Sequence, residues 1–134
     1  MRSLCYVSRN LISIPDQSSE IDKLVFVARS RNSCLDITGA LIATHEFFAQ
    51  ILEGPGVAIT ELMDSIQRDA RHTGITIVMD EAVSDRRFPK WSLAYTGRSH
   101  QKTALVTPLL TAERDDLTGH TLRLIQHMQE FSVG

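Results

Sequence analysis

Two strand-like segments stand back to back in the middle of the chain: "DITGALIAT" at 36–44 and "EFFAQILEG" at 46–54. Only a short turn near Thr44-His45-Glu46 separates them, so they must lie side by side. Each is bordered on its other side by an amphipathic helix. Upstream, Ile21, Leu24, Val25 and Ala28 fall at i, i+3, i+4 and i+7 and make one apolar stripe. Asp16, Ser18 and Ser19 are candidate N-caps for this helix, and Asn32, four residues after Ala28, ends it on the buried side. Downstream, Gly54-Pro55 closes the strand and opens a second helix, with Ile59, Leu62, Met63, Ile66 and Ala70 as its stripe. Strand-like runs flank the whole: "SLCYVS" at 3–8, "GITIVMDEAV" at 74–83 and "KWSLAYTG" at 90–97.

The order β-α-β-β-α-β-β is the split βαβ pattern of the ferredoxin-like fold with one strand added. The expected fold is α+β, a five-stranded mixed sheet with two helices on one face. The bare face needs a cover, and residues 98–134 can supply it. Thr107-Pro108 opens a helix, Gly119 interrupts, and Leu124, Ile125, Met128 and Phe131 define a second one. The expected division is a domain at 1–97 and a C-terminal helical extension at 98–134.

A chain of 134 residues fits one domain. Fourteen basic and sixteen acidic residues give a formal net charge of −2, against the basic face that general nucleic-acid binding needs. Two cysteines, Cys5 and Cys34, do not make a disulfide framework and read as small buried residues. With no visible targeting segment and no run of about 20 apolar residues, the expectation is a soluble cytoplasmic protein, without membrane or nucleic-acid partners. His45, His100, His120 and His127 lack zinc-ligand spacing, so no metal is expected.

Strand alternation then raises a question about Gln50. Leu4, Tyr6 and Ser8 share one face of the first strand; Phe48, Gln50 and Leu52 share one face of the third. In a ferredoxin-like sheet these strands are neighbours; if both residues face the helices, a phenol meets an amide beneath them. Asn32 reaches the same layer. An unpaired buried amide costs about 1–3 kcal/mol. Either the three groups form a self-satisfied network, or they hold a ligand with polar edges.

Several spaced segments make the chain resemble the BLUF family, flavin-binding blue-light sensor domains. They are "LCYVSRN" with Tyr6, "ARSRNSCLDITGALI" with Asn32, "FFAQILEGP" with Gln50, "DARH" at 69–72 and "RRFPKWSL" at 86–93. The resemblance covers about residues 2–97. It implies FAD, or alternatively FMN or riboflavin, bound between the two helices. It implies that Tyr6 is the photo-oxidised phenol, that Gln50 bonds Tyr6 and the flavin's N5/C4=O edge, and that Asn32 contacts the C2=O/C4=O edge. Arg31 becomes a candidate for the phosphates or the ring edge, and Arg29 for the phosphates. Leu24, Val25, Phe48 and Ile66 become candidates for the ring walls, and His72 for the ring edge or ribityl chain, or for a C-cap of the second helix.

The implied activity is a photochemical switch, not an enzyme, that signals to a protein partner and is expected to form a homo-oligomer. Trp91 and position 93 belong to the implied signal relay; the family usually has methionine where this chain has Leu93. The alternative function is a light-insensitive ferredoxin-like interaction module. A third reading, a small acylphosphatase-like enzyme using Arg9 and Asn32, lacks a phosphate-cradling glycine loop beside Arg9.

Overall fold

The computed structural model describes residues 1–11, 18–44, 46–89, 94–97 and 114–132. Its elements are β1 (Arg2–Asn10), α1 (Ser18–Cys34), β2 (Thr38–Ala43), β3 (Phe47–Gly54), α2 (Gly56–Gln67), β4 (His72–Ala82), β5 (Ala94–Gly97) and α3 (Arg114–Ser132). The strands form one sheet in the order β4-β1-β3-β2-β5. β1, β2, β3 and β4 pair antiparallel, and β5 lies parallel to β2 at the edge. Trp91, Leu93, His45, His100, Asp16 and the helix start at Thr107-Pro108 lie outside the described residues.

The central strands are buried on both faces, and alternation sorts their side chains into two cores. Leu4 and Tyr6 of β1 join Leu52 and the α2 stripe of Ile59, Leu62, Met63 and Ile66. Leu41, Ala43 and Phe48 join Ile21, Val25 and Ala28 of α1. Cys5, Val7, Ala40, Ile42, Ala49 and Ile51 point the other way, where Leu124, Ile125 and Met128 of α3 cover them. Thus α1 and α2 lie on one face and α3 on the other. Ala70, counted with the α2 stripe from its spacing, instead lies past the helix end and is exposed.

Gly119 does not interrupt the last helix: α3 runs unbroken through it. A glycine inside a helix costs only about 1 kcal/mol relative to alanine. Burial of Leu124 and Met128, both 0 % exposed, outweighs that penalty.

The chain leaves β4 at one edge of the sheet and re-enters as β5 at the opposite edge. Described as far as Pro89, this crossing segment is bolted down by two arginines and one carboxylate. Glu53, fully buried at the end of β3, accepts the backbone N–H of Arg87 at 2.6 Å and of Phe88 at 2.9 Å through Oε1. Arg86 donates to Thr38 Oγ1, to the carbonyl of Glu53 and to the carbonyl of Asp36. Asp36, at φ 57°, turns the chain from α1 into β2. Phe88 is thereby seated in the core beneath α3.

One substitution at two glycines should have opposite signs. A Cβ at Gly39 would lie 2.0 Å from the Ile51 carbonyl oxygen, whereas one at Gly119 meets nothing within 4 Å. Gly39→Ala should destabilise the chain by about 1–3 kcal/mol or more. Gly119→Ala should stabilise it by about 0.4–1 kcal/mol. Urea midpoints at constant m-value measure both.

Candidate functional site

A cleft opens between α1 and α2 on the sheet face that carries Tyr6 and Gln50. Its floor is Tyr6 from β1, Leu41 from β2, and Phe48 and Gln50 from β3. Leu24, Val27, Ala28 and Arg31 form the α1 wall, Ile66 the α2 wall, and Asp69, Arg71 and His72 close one end. The space, including its mouth, is about 510 Å³, within the usual range for small-molecule sites.

The floor carries one direct polar pair. Tyr6 and Gln50 lie opposite each other across the β1–β3 ladder. The Tyr6 hydroxyl donates to Gln50 Oε1 at 2.5 Å, with both residues at or below 5 % exposure. Burial holds the phenol pKa well above its ordinary value, opposed by the nearby Arg31 cation. Tyr6 is therefore a neutral phenol at physiological pH, and the only described group receiving its proton is the Gln50 amide.

His72 ties three elements together. One ring nitrogen, Nε2, lies 2.7 Å from the Ile66 carbonyl at the end of α2, and Nδ1 lies 2.7 Å from Ser8 Oγ on β1. Its ring stands 6.1 Å from the Tyr6 ring and 5.9 Å, edge-on, from Phe48. It thus lines the cleft end and holds the C-terminus of α2 at once, so the two alternatives read from sequence coincide.

At the mouth, Arg71 is clamped by Asp69, whose pKa lies below the usual carboxylate value because of that hydrogen bond. Arg31 offers its Nη2 to Asn32 Oδ1 at 3.5 Å, while its Nε is buried with no hydrogen-bond partner among the described residues. Asn32 is fully buried at the end of α1.

Of the residues singled out from sequence, Tyr6, Leu24, Arg31, Phe48, Gln50, Ile66 and His72 line the cleft. Val25 turns into the core with Ile21 and Ala28, because the helical period carries it past the cleft toward the sheet. Arg29 is exposed and is not among the lining residues. Val27, Ala28, Leu41, Asp69 and Arg71 were not singled out as site residues. The i, i+3, i+4, i+7 run Leu24, Val27, Ala28, Arg31 carries a signal for two of them, Val27 and Ala28, masked by the overlapping core stripe.

These residues suit a flat ring with polar edges: apolar walls, an amide and a phenol beneath, and guanidinium groups at the rim. A buried, unpartnered Arg31 Nε beside the cleft fits an acceptor supplied by a ligand.

The class this defines is a domain with a cleft suited to a planar ring ligand. The chain belongs to the BLUF family, sensors of blue-light using FAD, whose sequence model matches residues 1–94. It is a blue-light-sensing flavin domain. It is 31 % identical over 110 residues to the photoactivated adenylate cyclase subunit beta of Euglena longa, covering 81 % of this chain and 12 % of that protein. It is 31 % identical over 84 residues to the blue light- and temperature-regulated antirepressor BluF of Escherichia coli K12, covering 63 % of this chain and 21 % of that protein. The dark-state structure of BlrB, a BLUF protein, superposes with a TM-score of 0.74 at 33 % identity, covering 94 % and 95 % of the two chains. The chain thus spans a small part of the curated relatives and nearly all of BlrB.

Among the described residues, no helix is long and apolar enough to cross a membrane, and no group of three or more potential ligands could hold a metal.

Burial also fixes an alkaline limit. Cys5, on the other face of β1, has its pKa pushed from 9.0 up to about 12 by burial, and Tyr6 is raised from 10.0 by the same cause. The unfolded chain therefore loses both protons first. The stability these groups contribute is complete below about pH 9 and is lost as pH rises, at about 1.4 kcal/mol per pH unit for each titrating group. Denaturation between pH 8 and 11 should show this slope, and Tyr6→Phe should flatten it above pH 10.

Proposed function

We propose that the chain binds FAD in the α1–α2 cleft and acts as a reversible light switch in which Gln50 is the moving part. The short Tyr6–Gln50 hydrogen bond at the floor of an apolar cleft is the observation that carries this reading. Leu24, Val27, Ala28, Phe48 and Ile66 would flank the ring. Gln50 and Asn32 would bond its polar edges, with Arg31 and Arg71 toward the phosphates. FMN or riboflavin would use the same ring contacts without the adenine end.

Bound flavin supplies blue-light absorption and an excited state that takes up an electron. The remaining chemistry belongs to the chain. Tyr6 gives up an electron, and the phenolic proton, made acidic by that loss, passes to Gln50. The amide rotates or tautomerises, because it carries both donor and acceptor. Electron and proton then return to Tyr6, and the rearranged bonding persists at the cleft floor. The Tyr6 hydroxyl both donates and accepts, so it can meet either end of the amide. No substrate is consumed: the protein is a sensor rather than an enzyme. Two packings separated by a few kcal/mol are sufficient for such a switch.

The output runs through protein contacts. Residues 1–97 would form the sensor and 98–134 the extension that passes its state on, in a homo-oligomer or to a separate partner. Trp91 and Leu93 precede β5 and would carry the signal toward that extension.

Purified protein loaded with FAD should absorb in the blue and shift reversibly to the red on illumination. Gln50→Leu should bind FAD and show no red-shifted state, and Tyr6→Phe should likewise fail to form it. A colourless protein that takes up no added FAD, or an ordinary red shift in Gln50→Leu, refutes the proposal. Leu93→Met should change recovery kinetics while altering stability by less than about 1.5 kcal/mol, since the two side chains are close in volume. Recovery rates and urea midpoints compared side by side measure both effects.

A further inference from the structure

The geometry points to His72 as the residue that sets how readily Tyr6 gives up its electron: neutral imidazole permits the step and imidazolium suppresses it. The inference rests on the light-switch reading of Tyr6 and assigns His72 a positioning role within it.

The hydrogen bonds fix the tautomer. A carbonyl only accepts, so Nε2, facing the Ile66 carbonyl at 2.7 Å, carries the proton. Nδ1 of the neutral ring then accepts from the Ser8 hydroxyl at 2.7 Å. Protonation leaves this frame intact. Nε2–H continues to donate to Ile66, at a helix C-terminus, where a cation is favoured. Nδ1–H donates to Ser8 Oγ, which reverses its role. The imidazole can therefore gain a proton without repacking the cleft, and what changes at Tyr6 is charge.

That charge would appear with the His72 and Tyr6 ring centroids 6.1 Å apart. At an effective dielectric constant near 20, a unit charge at this range opposes a second positive charge by roughly a hundredfold in equilibrium constant. Loss of an electron from a neutral phenol creates such a charge until the proton departs. Among the described residues that line the cleft with His72, the charged ones are Arg31 from α1 and Asp69 and Arg71 from the turn before β4, with Tyr6 beside it on β1. Arg31 and Asp69 already act on Tyr6 with opposite signs. Asp69, held below the usual carboxylate range by Arg71, stays an anion through neutral pH, and both guanidinium groups stay cations.

The test uses the full chain loaded with FAD. The yield of red-shifted state per absorbed photon is measured from pH 8 to pH 5.5 for the wild type and for His72→Gln. Glutamine can donate to the Ile66 carbonyl and accept from Ser8, but it does not titrate. The wild-type yield should fall along a one-proton curve by up to roughly a hundredfold, the scale of the repulsion above, and the His72→Gln yield should be flat. A flat wild-type profile, or an equal fall in His72→Gln, overturns the assignment. Absence of a red shift at every pH overturns the light-switch reading itself and is thereby distinguished. A second readout needs no flavin: nitrogen NMR of the flavin-free chain should show neutral His72 protonated on Nε2, and a proton on Nδ1 overturns the assignment.

Discussion

A phenol and an amide, each almost wholly out of water, face each other across two central strands. Separately, either would destabilise the fold by about 1–3 kcal/mol as an unsatisfied buried group. Paired at 2.5 Å, they satisfy one another in part and keep capacity in reserve. The amide has donors as well as an acceptor, and the hydroxyl can reverse its role. A leucine at position 50 would pack as well and hold no such reserve. The strands place this pair, the two helices enclose it, and the cleft exists because α1 and α2 do not close over it.

The two faces of the sheet serve different ends. The α1–α2 face leaves room for a ligand, so its packing is incomplete by design of the fold. The opposite face is sealed by α3 and by Phe88. Glu53 belongs to the same strand as Gln50, three residues on, and holds the crossing segment through two backbone N–H groups. A shift of β3 beneath the cleft would therefore be felt by the segment that leads toward β5, and by the side chains packed under α3. The coupling has a physical basis in shared hydrogen bonds and a shared core rather than in proximity alone.

Much of this was legible in the sequence, for a definite reason. Side-chain alternation has a period of two, so with β1 and β3 as neighbours Tyr6 and Gln50 could pair on one face, although the period does not say which face the helices cover. Helical stripes likewise placed Ile21, Ala28, Ile59 and Ile66 on the sheet. The less legible parts depend on relations that periodicity does not encode. Val25 and Leu24 are adjacent in sequence, yet one enters the core and the other the cleft, because that depends on the rotation of α1. The Asp69–Arg71 clamp forms in a turn, where neither period applies. Gly119 reads locally as a break, but burial on its helix decides otherwise. Asp36 and Arg86, fifty positions apart, meet only after the crossing segment folds back.

The most direct test of the central claim is a crystal structure of the FAD-loaded chain grown and frozen in the dark. The account predicts the flavin ring between the α1 wall at Leu24 and Ala28 and the α2 wall at Ile66. The Gln50 amide should then lie within about 3.2 Å of the ring's polar edge while its bond to the Tyr6 hydroxyl is kept. A ring bound elsewhere, or a Gln50 amide bonded to protein groups alone with the ring out of reach, would contradict it.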